Sequence, residues 1–174
     1  MFRKLAVLFV GMVVPLAALA DDTLVKFKGG IGVIPVSAGV VPAGQQPLTS
    51  EVVNRNFVRG VPPPGQIWVI ADLRADVKTD GRIKVKGKGL LLGGGNGIGG
   101  NANQSVRATL ICEAAAPFVL LDTTLVPLEA DGDFRIDDTL VPQPPAVCDS
   151  PVLLIRNPAG AWFAAGIPDL KGDD

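Results

Sequence analysis

The sequence predicts an all-β domain: an antiparallel β-sandwich of about eight to ten short strands, closed by one disulfide, with a small β-barrel as the alternative. Three observations lead there. Apolar residues, many of them β-branched, recur at every second position over several stretches. Glycine and proline, 21 and 15 of the 174 residues, interrupt the chain before a helical period can build. Two cysteines, Cys112 and Cys148, complete the pattern.

The chain opens on Arg3 and Lys4, an apolar run over 5–16, and Ala18-Leu19-Ala20 followed at once by Asp21 and Asp22. Positive start, short apolar middle and an A-x-A ending are the three parts of a secretory signal. A membrane anchor would need ~20 apolar residues; this run is shorter and is broken by Pro15. The expectation is a signal peptide over 1–20 and one all-β domain over 21–174. Thr23-Leu24-Val25-Lys26-Phe27-Lys28 and 31–36 read as a first pair of strands. Residues 38–48, with Gly39, Pro42, Gly44 and Pro47, read as a loop. A further strand is expected within 51–59, and Pro62-Pro63-Pro64 stiffens the connection after it.

The clearest alternation is Ile67, Val69, Ala71, Leu73, Ala75 and Val77, resumed by Ile83 and Val85 after Asp80-Gly81. Asp-Gly between alternating runs signals a hairpin, because a type I′ turn needs positive φ at both central residues. Asp131-Gly132 repeats the device before Phe134-Arg135-Ile136, and Asn157-Pro158-Ala159-Gly160 reverses the chain between 151–156 and 161–167. Strands are also expected at 104–112 and 118–126. In an exported chain Cys112 and Cys148 read as a disulfide, placed either to staple two sheets or to pin the proline-rich loop at 139–147. A two-cysteine metal site would need ligands that the chain lacks.

Thr109-Leu110-Ile111-Cys112, then Asp131-Gly132-Asp133-Phe134-Arg135-Ile136, then Cys148 and Val152-Leu153-Leu154-Ile155 resemble secreted transthyretin-like and Ole e 1-like modules. Those modules place a cysteine-bearing strand, an acidic hairpin, a second cysteine and a closing strand on a β-sandwich. The resemblance spans about residues 105–157 and implies the fold without supplying functional residues. As a whole the chain also resembles exported bacterial proteins.

Composition excludes more than it assigns. There is no histidine and no tyrosine, so serine–histidine or cysteine–histidine nucleophiles and imidazole-ligated metals are impossible. Without Arg3 and Lys4, 14 of the 16 basic residues face 17 acidic ones, a net charge of about −3. Arg82, Lys84, Lys86 and Lys88 are the densest basic run, and their period-two spacing fits the wet face of one strand. The remaining basic residues look scattered, Arg55, Arg59, Arg74 and Arg107 among them. Neither a nucleic-acid partner nor stable membrane insertion after leader cleavage is expected.

Four further features carry a chemical reading and a blander one. Gly95-Asn96-Gly97-Ile98-Gly99-Gly100 satisfies G-x-G-x-x-G, but a strand rather than a helix follows it, so it reads as a flexible β–β loop. Asp131, Asp133, Asp137 and Asp138, with Glu129, could surround calcium, yet they match no established loop spacing and read as turn formers and a solvated strand edge. Asp72 and Asp76 lie ~13 Å apart along one strand face, too far for paired-carboxylate glycoside chemistry. Trp68, Trp162 and Phe163 would form a sugar platform if exposed and a core if buried.

The leading reading is therefore a non-enzymatic exported β-sandwich serving as a binding or structural module in the periplasm or outside the cell, its partner an unidentified protein or small molecule. A small-molecule or carbohydrate binder is the alternative, and a carboxylate-based hydrolase a third reading. No catalytic, cofactor or metal residue is assigned; Cys112 and Cys148 are the only site residues. One expectation is directly measurable. The intact mass of the exported protein should correspond to a chain beginning at Asp21; an exported species that retains 1–20 would refute it.

Overall fold

The computed structural model describes residues 22–33, 36–37, 53–54 and 56–169. The expected leader and the expected loop at 38–48 lie outside them. In chain order the strands are β1 (Thr23–Gly32), β2 (Val36–Ser37), β3 (Val53–Asn54), β4 (Trp68–Val69), β5 (Asp72–Lys78), β6 (Arg82–Lys88), β7 (Leu91–Leu92), β8 (Ser105–Ile111), β9 (Leu121–Asp122), β10 (Val126–Pro127), β11 (Phe134–Thr139), β12 (Val152–Arg156) and β13 (Trp162–Pro168). Nine of them form one antiparallel sheet in the order β10-β8-β12-β13-β1-β5-β6-β11, with β9 also bonded to β8. The pairs β2–β3 and β4–β7 stand apart from it. The expected all-β, antiparallel, disulfide-closed class is thus realised as a single curled sheet, a half-barrel.

Two features let the sheet curl. β1 carries a bulge between Phe27 and Gly30, with Gly29 at φ +92°; an extra residue in one strand bends it and sharpens its twist. At the far margins the sheet returns on itself. Asp122 of β9 and Val141, just beyond β11, exchange two backbone hydrogen bonds of 2.9 Å. Beside them the Thr124 amide and hydroxyl both donate to Asp138 Oδ2 at 2.8 Å.

The concave side holds the core. β5 and β6 alternate strictly from Leu73 onward, sending Leu73, Ala75, Val77, Ile83 and Val85 inward. Gly87 takes the next inward place. A β-carbon there would lie 2.0 Å from the ring of Phe134, its partner on β11, so the glycine makes room for the aromatic side chain. Trp68 stacks on Phe163 with ring centroids 3.9 Å apart and planes 10° from parallel.

Half of the sheet is covered on its convex side as well. Arg59 and Gly60 both have positive φ, +48° and +79°, and turn the chain between the bridged pair Val58 and Val61. From that turn Arg59 donates to Ile111 O at 3.2 Å and to Ser150 O and Oγ at 2.6 Å each. Trp162 Nε1 donates to Asn56 O at 2.9 Å and Trp162 N to Pro62 O at 3.0 Å. Leu153, Leu154 and Ile155 of β12 are consequently all buried, as are the four residues that end β8.

Several elements differ from expectation. Residues 23–32 form one bulged strand, because Gly29 and Gly30 bend the chain without reversing it. Of the strand expected within 51–59, the described residues show β3 and the bridge at Val58, and residues 51, 52 and 55 lie outside them. Side-chain parity flips between β4 and β5: Trp68 is buried while Ile67 and Val69 are exposed, since burying the larger ring against Phe163 removes more apolar surface from water. At Asp80-Gly81 only Gly81 has positive φ, and Gly81 N bonds Lys78 O at 3.0 Å, so the turn is a three-residue loop with a glycine bulge, not type I′. Asp131-Gly132 does reverse the chain, but β10 pairs with β8 and β11 with β6 rather than with each other. The stretch 118–126 divides into β9 and β10. The Asn157–Gly160 reversal is present, with Gly160 N on Asn157 O at 3.0 Å.

Cys112 and Cys148 are bonded, with α-carbons 4.7 Å apart. The bond follows β8 and precedes β12, which are hydrogen-bonded neighbours with Ile111 opposite Val152. It therefore reinforces one pair of strands and does not join two sheets. The loop it closes, spanning a sequence separation of 36, contains β9, β10 and β11, and closing a loop of that length stabilises by ~4 kcal/mol in the chain-entropy model.

The seam makes stability depend on acid. Hydrogen bonds from the Thr124 amide, then the Thr124 hydroxyl and the Thr139 amide, hold the Asp138 carboxyl below the usual carboxylate range. A carboxylate depressed in the folded state contributes stability that is complete above its unfolded value of ~3.9 and is lost as pH falls through the lower folded value. Asp138→Asn should lower the melting temperature by a few degrees at pH 7 and by progressively less as the pH falls below ~3.9, a convergence read by thermal melts across that range.

Candidate functional site

The wet half of the half-barrel is the convex side of β1, β5, β6 and β11. Alternation puts Lys26 and Lys28, Arg74 and Asp76, Lys84 and Lys86, and Arg135 and Asp137 on that side, with Asp72, Lys78, Arg82 and Lys88 toward the ends of β5 and β6. Register then sorts them into rows across the strands. Lys28 faces Arg74, Arg74 faces Lys86, and Lys86 faces Arg135. Four cations thus stand directly opposite one another on four adjacent strands. The neighbouring row alternates in sign: Lys26 faces Asp76, Asp76 faces Lys84, and Lys84 faces Asp137.

The alternating row carries two charges of each sign and the cationic row four of one. Lys84 Nζ lies 3.1 Å from Asp137 Oδ2, and Lys78 Nζ 3.7 Å from Asp76 Oδ1. In the cationic row, Arg74 has Asp72 at 3.2 Å on its own strand, whereas Lys28, Lys86 and Arg135 are in no salt bridge among the described residues. Like charges opposite one another on a sheet destabilise it, so this order carries a cost. Both rows line an open groove of about 590 Å³, together with Asp169 where the chain leaves β13.

The residues singled out by sequence reasoning fall elsewhere. Trp68 and Trp162 are both buried, at 2% and 3% exposure, and offer no platform to a sugar ring. Asp72 is paired with Arg74 and Asp76 lies beside Lys78, so these two carboxylates do not converge. The acids near Asp131 are each occupied separately. Asp131 accepts from Asp133 N, Asp133 from Gly89 N, Asp137 pairs with Lys84, and Asp138 accepts from Thr124. Among the described residues no three metal-capable side chains gather. The glycine-rich stretch is a stack of turns with its own hydrogen bonds, Leu92 N to Gly100 O and Gly99 N to Leu92 O at 2.9 Å each, rather than a loose loop.

The arginines that looked scattered are in part grouped. Arg156 NH1 lies 3.1 Å and Arg107 NH1 3.6 Å from the Asp122 carboxylate, which also accepts from Thr109 Oγ1 at 2.6 Å. This knot is mostly enclosed and holds strands together. Arg74 belongs to the cationic row, and the side chain of Arg55 lies outside the described residues. The row escaped sequence reasoning because its members come from segments 28, 74, 86 and 135. Only register aligns them; the signal within the sequence was the shared outward parity of each.

No protein-family model matches the chain, and comparisons with curated proteins and with solved structures return no significant match.

The charge order predicts an inverted mutational effect. Lys86→Glu places a carboxylate between Arg74 and Arg135 and should stabilise the fold by about 0.2–1 kcal/mol at low salt, the gain fading as ionic strength rises. Urea denaturation at low and at high sodium chloride would measure it. A variant less stable than the parent at low salt would show that the row does not repel itself.

Proposed function

We propose that this protein is a non-enzymatic binding module, exported to the periplasm or beyond the cell, whose working surface is the basic side of the half-barrel and whose partner is an anion. The observation that carries the reading is the row Lys28, Arg74, Lys86 and Arg135. A chain with one net negative charge has aligned four cations where they repel, a pattern that stability alone does not favour and that an anionic ligand would relieve. Export is supported by the leader-like residues 1–20 and by the Cys112–Cys148 bond, which suits an oxidising compartment. The absence of histidine, which rules out serine–histidine and cysteine–histidine pairs, favours binding over catalysis, as does the failure of Asp72 and Asp76 to converge.

The reading is tested by titrating the protein with dextran sulfate and with neutral dextran over a series of salt concentrations. Dextran sulfate should bind and weaken steeply with salt, because each cation neutralised releases counterions, and neutral dextran should not bind. Lys28→Gln with Lys86→Gln should weaken dextran sulfate binding at least tenfold and flatten the salt dependence. Unchanged affinity in that double variant would remove the row as the working surface.

A further inference from the structure

We infer that the anion is an acidic polysaccharide chain lying across the strands, its carboxylates on the cationic row and its hydroxyls on the flanking acids; this rests on the anion-binding reading above. The row runs straight across four strands, with rows of mixed sign beside it. Three strand-to-strand steps of ~4.8 Å give a track of ~14 Å, which suits an extended polymer with repeated charge. A uniformly anionic membrane surface calls for cations without interruption. Here carboxylates are interleaved with the cations on both sides of the row, Asp76 and Asp137 with Lys26 and Lys84 on one and Asp72 with Lys88 on the other.

Those acids select among polyanions. They repel a ligand that presents only negative charge, and they accept hydrogen bonds from one that also carries hydroxyl groups. Asp76 is placed to do this. It lines the groove, its side chain is 39% exposed with Lys78 Nζ 3.7 Å from Oδ1, and that oxygen accepts no hydrogen bond. An ion pair at that distance leaves the acceptor without a donor, and rotation about the soft terminal torsion of the carboxylate would turn that capacity toward the groove. Single-stranded nucleic acid is disfavoured for a separate reason: its binding relies on exposed aromatic rings for base stacking. Phe27, the aromatic residue along this groove, is buried in the core.

The experiment compares polygalacturonate, polyphosphate, single-stranded DNA and anionic phospholipid vesicles at matched charge concentration and salt. Polygalacturonate should bind at least tenfold more tightly than the others. Asp76→Ala should reduce its affinity relative to polyphosphate about tenfold, while Asp76→Asn, which keeps an acceptor oxygen, should preserve most of the ratio. If polyphosphate, DNA or vesicles bind as tightly as polygalacturonate, or if Asp76→Ala raises affinity for every polyanion equally, the polysaccharide assignment fails and the anion-binding surface stands. If none of the four binds, both fail. Thermal melts establish that each variant is folded, and should Asp76→Ala not fold, the ranking of the four ligands on the parent protein decides.

Discussion

A sheet that curls through nine strands must do something with its two margins, and here both return to Asp122. Its backbone meets Val141 in a pair of hydrogen bonds, which joins the β8–β9 margin to the chain just past β11. Unpaired strand edges are templates for association with other chains, and this bridge leaves less edge to pair. The carboxylate of the same residue separates Arg107 and Arg156, which are direct partners across β8 and β12. Without it two guanidinium groups would face each other with little water to screen them, since the Arg156 side chain is only 11% exposed. Breaking a largely buried charge knot by removing one member costs far more than the knot contributes. Curvature, margin pairing and charge compensation therefore converge on one residue.

The half-barrel divides its labour along the sheet. On β12, the end of β8 and the start of β13 the segment around Arg59 covers the convex side, so these stretches are buried on both faces. On β1, β5, β6 and β11 the convex side stays wet and strict alternation returns. Only the second half can display a charged surface, and only there does register bring like charges into line. The disulfide sits in the first half, beside the paired ends of β8 and β12.

How far the sequence could be read follows from the range of each determinant. Strands β5, β6, β8, β12 and β13 were visible because alternation and β-branched residues are local properties, and the turns at Gly81, Gly132 and Gly160 were visible for the same reason. The parity change at Trp68 was not, because it is decided by a ring 95 positions away in sequence, on Phe163. The bulge that makes β1 one strand is not legible either, since Gly29 and Gly30 suit a bulge or a turn equally well. Pairing partners were the least legible. Asp131-Gly132 looks like any other hairpin, although its flanking strands belong to opposite margins. The cationic row is the extreme case, being a property of four registers at once and of no single segment.

The turn stack at the glycine-rich stretch has a different kind of consequence. Leu92 bonds both Gly99 and Gly100, so the chain leaves and rejoins the body at one point, and residues 95–99 between are exposed. Lengthening an already closed loop costs little, because closure entropy grows only with the logarithm of its length. Such a place accepts foreign sequence. Evolution or an engineer could append a recognition segment, an affinity tag or a whole second domain there while β7 and β8 on either side keep their places, making the stretch a natural port for modular extension.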